Sequence, residues 1–321
     1  MIVTVTPNPS VDRTVGVDGL ERGEVLRTSA QQLDPGGKGI NVARALHANG
    51  HPTRAVVPFG GASGAQLMAL LDDTGLEVVA VPIAGSVRSN ITIVEPDGTV
   101  TKLNEPGPAL SDEELTRLVA ATGQASQDAD WLVICGSLPP GTSVQLLHDL
   151  VAAGRAAGAR VAIDTSEEAL LAALDAQPDL VKPNAEELAG ATGRSLATLS
   201  DAADAARQLL ARGVGAVLAS LGPDGALYVD ADTCVHALLP VTTPRSTVGA
   251  GDSTLAGFLT ASEHPSAGLR AAVAYGAAAV SLPGSQVPGP GDLHLDAVEV
   301  HTDPDRARRL AGAPRHVSSH A

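Results

Sequence analysis

Aromatic side chains are almost missing from this chain: two Phe, two Tyr and one Trp among 321 residues. A core of ordinary size must then be built from Ala, Val and Leu, which suits close-packed helices over a parallel sheet better than an aromatic-rich binding surface. Cysteine is scarce as well. Cys135 and Cys234 cannot form a disulfide framework, and each sits in an apolar strand-like run, where a buried thiol acts as a small hydrophobe. No apolar run is long enough to span a bilayer, and Met1-Ile2-Val3-Thr4-Val5 lacks the basic opening of a signal peptide. The expectation is a cytoplasmic protein with no membrane partner. Positive charge is in deficit, 21 Lys and Arg against 36 Asp and Glu, for a formal charge of −15. Such a far field repels nucleic acid, which is therefore not expected as a partner. An anionic substrate would need a local cluster of Lys, Arg and backbone N–H groups, so each lysine of this lysine-poor chain carries weight.

What is present is an alternation. Strand-like runs at 2–6, 53–58, 131–135, 160–164, 180–182 and 216–220 are separated by helical patterns at 39–49, 63–74, 111–124, 142–157, 167–174, 184–190 and 201–212. The alternation predicts an α/β fold with a mainly parallel sheet and helices on both faces. Ligands in such sheets bind beyond the carboxyl ends of the strands. Residues 11–33 and 88–104 break the rhythm with short alternating runs around turns such as Asp97-Gly98. They read as a small antiparallel lid, or else as two long loops. The pattern fades after Asp292, and 306–321 is expected to be a flexible tail.

Four Gly-rich or polar segments carry the chemistry. Ser246-Thr247-Val248-Gly249-Ala250-Gly251-Asp252-Ser253 places small residues at a helix start, where unpaired N–H groups and the helix dipole form an anion site. Asp252 could simply stabilise that helix; beside an anion site it could instead take a proton from an attacking hydroxyl. Asp34-Pro35-Gly36-Gly37-Lys38-Gly39-Ile40-Asn41 looks like a phosphate loop without Walker spacing. Gly36 and Gly37 allow close backbone approach, Lys38 and Asn41 add donors, and the plain alternative is a tight turn. In Lys182-Pro183-Asn184-Ala185-Glu186-Glu187, Asn184 and Glu187 share a helix face and could hold a hydrated Mg²⁺, or could be a helix cap. Ser220-Leu221-Gly222-Pro223-Asp224-Gly225 is either a nucleotide contact or a hairpin turn. Asp12, leaving the first strand, could accept sugar hydroxyls or serve as a turn residue. Arg88 in Arg88-Ser89-Asn90 could pair with a substrate phosphate or be solvated. The nine His residues show no metal-ligand spacing.

Taken in this order, Thr6-Pro7-Asn8-Pro9-Ser10-Val11-Asp12, Pro35 to Ala43, Gly136-Ser137-Leu138-Pro139-Pro140-Gly141, Lys182-Pro183-Asn184 and Val248 to Ser253 resemble the ribokinase-like PfkB carbohydrate kinases, in their phosphosugar branch. The resemblance runs from Met1 to about Gly291. It implies one kinase domain over 1–305 and ATP-dependent phosphorylation of a ketose phosphate, with ATP, Mg²⁺ and a monovalent cation such as K⁺. By the same resemblance Asp252 is the base and Gly249, Ala250 and Gly251 form the anion hole. Asp12, Gly36, Gly37, Lys38, Asn41, Arg88 and Asn90 would hold the sugar. Lys182, Asn184, Ser220, Gly222 and Gly225 would serve the nucleotide and Glu187 the metal. A homodimer through the lid is also implied. Lys38 and Arg22-Gly23-Glu24-Val25 resemble members acting on fructose 1-phosphate, and Lys38 also those acting on tagatose 6-phosphate, more than those acting on fructose 6-phosphate. A catalytically silent sensor on the same fold would have no need of Asp252, and a nucleoside kinase would leave Lys38 and Arg88 without a phosphate.

Overall fold

The computed structural model describes residues 1–165 and 167–311. Contacts divide the chain into two compact units, Met1–His47 with Pro52–Ala159, and Ala48–His51 with the chain from Arg160 onward.

The first unit contains β1 (Ile2–Val5), β2 (Ser10–Gly16), β3 (Ala30–Gly36), α1 (Lys38–Ala48), β4 (Thr53–Phe59), α2 (Gly61–Asp72), β5 (Glu77–Pro82), β6 (Arg88–Val94), β7 (Val100–Asn104), α3 (Asp112–Ala125), β8 (Trp131–Cys135) and α4 (Gln145–Ala156). Here β5, β4, β1 and β8 lie side by side and parallel. Every residue of β1 and β8 is buried, as strands covered on both faces require. Ile40, Leu67 and Leu71 of α1 and α2 are fully buried in one cluster with Ala55 and Val57 of β4.

A separate sheet runs β3-β2-β6-β7. It is not the purely antiparallel lid expected from 11–33 and 88–104, because β2 and β6 pair in parallel while the outer pairs are antiparallel. A parallel pair needs a long crossover, supplied here by everything from β3 to β5. The pairing sets Ser10 beside Arg88 and Asp12 beside Asn90, so two segments about eighty residues apart share one polar face.

The second unit holds β9 (Arg160–Asp164), α5 (Glu167–Asp175), β10 (Leu180–Val181), α6 (Ala185–Thr192), α7 (Leu199–Leu210), β11 (Val217–Ser220), β12 (Ala226–Val229), β13 (Cys234–Leu238), α8 (Ala250–Thr260), α9 (Pro265–Ser281) and β14 (Glu299–His301). Strands β9, β10 and β11 are parallel, and β11 to β14 continue antiparallel. Helices α8 and α9 approach closely through glycines: a methyl at Gly257 would stand 2.5 Å from the Ala271 carbonyl oxygen. Small residues thus replace the missing aromatics by bringing backbones together. The segment 306–311 differs from the expected flexible tail. Leu310 is buried, and the carbonyls of Arg306 and Arg308 accept the amides of Ser200 and Leu199 at 3.0 and 2.9 Å. The rest of the expected tail lies outside the described residues. Among the described residues no helix is long and apolar enough to cross a membrane.

Local chemistry sets the helix ends. Ser111 and Glu114 form a reciprocal capping box at α3, and Glu114 also accepts the Ala84 amide at 2.6 Å. The amides of Ser111 and Ala84 hold the buried Glu114 carboxyl below its ordinary pKa. A depressed carboxyl stabilises the fold above its unfolded pKa and loses that contribution as pH falls through the folded value. Glu114→Ala should therefore cost about 1–3 kcal/mol at pH 7. In urea titrations the gap to the parent protein should narrow as the solution is acidified below pH 4.

Candidate active site

Two clusters of polar residues are built, one in each unit. In the first unit the site grows from the roots of β2 and β6. Asp12 Oδ1 accepts Ser10 Oγ–H at 2.7 Å and Asn90 Nδ2–H at 2.9 Å. The backbone is drawn in against this group: a Cβ on Gly36 would collide with the Asp12 carboxylate and the Ser10 hydroxyl. Gly37 has φ +122°, and a Cβ there would stand 2.6 Å from Thr6 Cγ2. The glycines of this loop are thus demanded by packing as well as by any ligand. Lys38 opens α1, and Asn41 is buried one turn on, its amide bonded to the Gly37 carbonyl at 3.0 Å.

Arg88 is held by backbone carbonyls. Its Nη1 donates to Glu105 O at 3.1 Å and its Nη2 to Asn8 O at 3.0 Å, with Ser137 Oγ 3.5 Å away. Asn8, buried, donates from Nδ2 to Pro106 O at 3.0 Å and Ser137 Oγ at 3.2 Å. Asn8 Oδ1, Asn90 Oδ1 and Arg88 Nε are buried without a partner among the described residues. Buried polar atoms ordinarily find partners, so an acceptor–donor cluster of this kind is suited to a polyhydroxylated, anionic ligand. Burial lowers the Arg88 and Arg44 guanidinium pKa values, the Asp12 charge opposing this at both and the Asp34 charge at Arg44. Asn8, Ser137 and Arg44 were absent from the residues singled out by sequence, although Asn8 and Ser137 lie within motifs quoted above and Arg44 directly follows one. Their signal is spatial, since Ser137 meets Asn8 and Arg88 across at least 49 residues.

In the second unit the turn before α8 is as the small residues imply. Gly249 caps the helix with φ +74°, in the left-handed region. The first helical bond joins the Ser253 amide to Gly249 O at 2.8 Å. The amides of Gly249, Ala250 and Gly251 lie ahead of that ladder, at the positive end of the helix dipole. Asp252 sits in this first turn and is buried. Lys182, at the end of β10, is buried in an ion pair with Asp164 at the end of β9, Nζ to Oδ2 3.0 Å. Its Nζ lies 3.3 Å from where a Cβ on Gly251 would stand. A buried ammonium therefore faces the same turn as the amides. Asp164 was missed by sequence; its only signal is a carboxylate ending the apolar run Val161-Ala162-Ile163.

Asn184 and Glu187 cap α6 reciprocally, each side chain accepting the other's amide at 2.8 Å. Asn184 also bridges to Ser220 at the end of β11. Among the described residues no group of three or more His, Cys, Asp or Glu is placed to hold a metal ion. One carboxylate beside an amide fits a hydrated ion that travels with a polyphosphate, not a metal held by protein ligands alone. Gly222 is exposed at φ +60°. Gly225 has a packing reason of its own, because a Cβ there would strike the Ala237 carbonyl of β13.

Over residues 6–290 the chain matches the pfkB family carbohydrate kinases. It belongs to that family. It is 44% identical to the 1-phosphofructokinase of Rhodobacter capsulatus, over 80% of this chain and 82% of that protein. Identity to the 1-phosphofructokinase of Haloferax volcanii is 40%, over 96% of this chain and 100% of that protein. The crystal structure of phosphofructokinase-2 from Escherichia coli in complex with potassium is 36% identical and superimposes with a TM-score of 0.84, covering 91% of this chain and 96% of that one. The pfkB kinase is thus a ribokinase-like α/β protein, with a large, mostly parallel sheet flanked by helices. Its chemistry is transfer of phosphate to a sugar hydroxyl.

Proposed function

We propose that this pfkB kinase transfers the γ-phosphoryl group of ATP to the 6-hydroxyl of fructose 1-phosphate, giving fructose 1,6-bisphosphate and ADP. The observation that carries the reading is the turn at Gly249–Asp252, where a buried carboxylate, a left-handed glycine and a buried ammonium meet at one helix N-terminus. Asp252 accepts the hydroxyl proton as the sugar oxygen attacks phosphorus and the bond to the β-phosphate oxygen breaks. The amides of Gly249, Ala250 and Gly251, with Lys182, hold the negative charge that develops on the phosphoryl oxygens. Asp12, Asn41 and Asn90 receive and orient sugar hydroxyls against Gly36 and Gly37, while Arg88 and Lys38 meet the 1-phosphate. Ser220, Gly222, Gly225 and Asn184 line the nucleotide. Glu187, beside Asn184, would hold the water shell of the Mg²⁺ that accompanies ATP, an ion that would supply neutralisation of phosphate charge.

Lys38 and the relatives named 1-phosphofructokinase support fructose 1-phosphate as the acceptor. ADP release should be measured across fructose 1-phosphate, fructose 6-phosphate and tagatose 6-phosphate, with and without K⁺. The highest kcat/KM is expected with fructose 1-phosphate. A preference for either other sugar would transfer the assignment to it, and no ADP release with any would favour a sensor. Glu187→Gln should raise the Mg²⁺ concentration for half-maximal rate without unfolding the protein, since a Gln can still cap α6. An unchanged Mg²⁺ dependence would leave Glu187 as a cap alone. The exposed Leu20, Val25, Val100 and Leu103 on and beside the small sheet support a homodimer through that lid, and a cytoplasmic setting fits a metabolic kinase.

A further inference from the structure

The turn Gly222–Asp224 that follows β11 has two sides. Gly222 and Pro223 are exposed, whereas Asp224 is buried at 7% exposure and turns away from them. Its carboxylate meets the C-terminal segment: Oδ2 accepts the Ala311 amide at 2.6 Å, and Arg308 Nη2 lies 3.8 Å from Oδ1. Its carbonyl oxygen is 2.7 Å from Nε2 of His236, fully buried on β13 and stacked on His301 of β14. A carbonyl oxygen can only accept, so Nε2 is the donor in this contact, and burial lowers the His236 pKa. The segment is itself anchored. Leu310 is buried and donates to Ala197 O at 3.0 Å, and the start of α7 donates to the carbonyls of Arg306 and Arg308. Residues 299–311 therefore clasp the back of a turn whose front is open.

We propose that the C-terminal segment is a brace for the nucleotide, with Asp224 and Arg308 as positioning residues that hold the Ser220–Gly225 turn in the shape that receives ATP. The proposal rests on the reading of that turn as a nucleotide contact. Backbone bonds close the turn on itself, Leu221 N–H to Gly225 O at 2.8 Å and Gly225 N–H to Gly222 O at 3.1 Å, and the clasp on Asp224 fixes the closed turn in place from behind. The brace touches no substrate and acts only through the turn.

The test uses the full chain with Asp224→Ala, Asp224→Asn and Arg308→Ala. Calorimetry with a non-hydrolysable ATP analogue gives affinity, steady-state kinetics give the two Michaelis constants, and hydrogen exchange follows the 221–225 amides, those of Leu221, Gly222, Asp224 and Gly225. Asp224→Ala removes both acceptor oxygens and should weaken ATP binding about tenfold, the effect of losing one charged hydrogen bond. Asp224→Asn keeps an acceptor for Ala311 and should restore affinity to within about threefold of the parent. Arg308→Ala, at a longer and half-exposed contact, should cost about threefold. The KM for fructose 1-phosphate should not move in any of them. Should Asp224→Ala fail to fold, Asp224→Asn and Arg308→Ala decide between them. Unchanged ATP affinity with a lowered melting temperature would overturn the brace and leave a purely structural contact. Failure of the analogue to protect the 221–225 amides in the parent protein would overturn the nucleotide reading of the turn itself, and the brace with it.

Discussion

Asp252→Asn should lower kcat about 10²–10⁴-fold, the range for loss of a general base, with both Michaelis constants changed far less. Asn matches the shape of Asp and keeps an acceptor oxygen, but it cannot take the proton of an attacking hydroxyl. The variant thereby separates two roles that the geometry of α8 would permit. If the carboxylate only complements the helix dipole, its loss costs about 0.3–1 kcal/mol of stability and turnover is preserved. If it is the base, stability holds or rises, because a buried carboxylate at an anion site is a functional arrangement and not a favourable one. Thermal denaturation beside steady-state kinetics distinguishes them, and near-parental turnover would remove Asp252 from the mechanism.

Arg88→Ala should raise the KM for fructose 1-phosphate about tenfold to a hundredfold and leave that for ATP nearly unchanged. A hydrogen bond to a charged group contributes roughly 1.5–3 kcal/mol, which sets that range. The fork is already fastened to Glu105 O and Asn8 O, with Nε buried and without a partner among the described residues, so the side chain is ordered before the sugar arrives. Arg88→Lys should rescue poorly, since an ammonium cannot reproduce the fork. Lys38→Ala should act in the same direction and flatten the salt dependence of sugar binding, because the interaction it removes is the screened one. If both alanine variants lost ATP affinity and kept the sugar, the two ligands would have been assigned to each other's sites.

How much of this was legible beforehand depends on the range of the forces involved. Strands β8 and β9 fall on 131–135 and 160–164 as read from sequence, because a buried parallel strand is a short apolar run bounded by breakers. The turn into α8 was legible for the same local reason: glycine accepts without strain the left-handed backbone found at Gly249. Helix α9 was not. Its Ala- and Gly-rich run is apolar on all sides, so it has no stripe to read, and its identity comes from packing against α8 and β13. The hairpin read as starting at Ser220–Gly225 is present, with β11 and β12 antiparallel on either side of that turn, whereas β13 was not read as a strand.

Local chemistry along the chain determined the helix caps, the glycine turns, the alternation of strand and helix, and the residue types able to carry phosphoryl transfer. Only the tertiary structure decided which of them meet. The parallel pairing of β2 with β6 brought Asn90 to Asp12. The ends of β9 and β10 joined Lys182 to Asp164, and the docking of 306–311 turned an expected flexible tail into a clasp on Asp224. Each of these contacts closes a loop of eighteen to about eighty-seven residues. Their stability derives from cooperative burial of the elements that carry them, which no window of sequence contains.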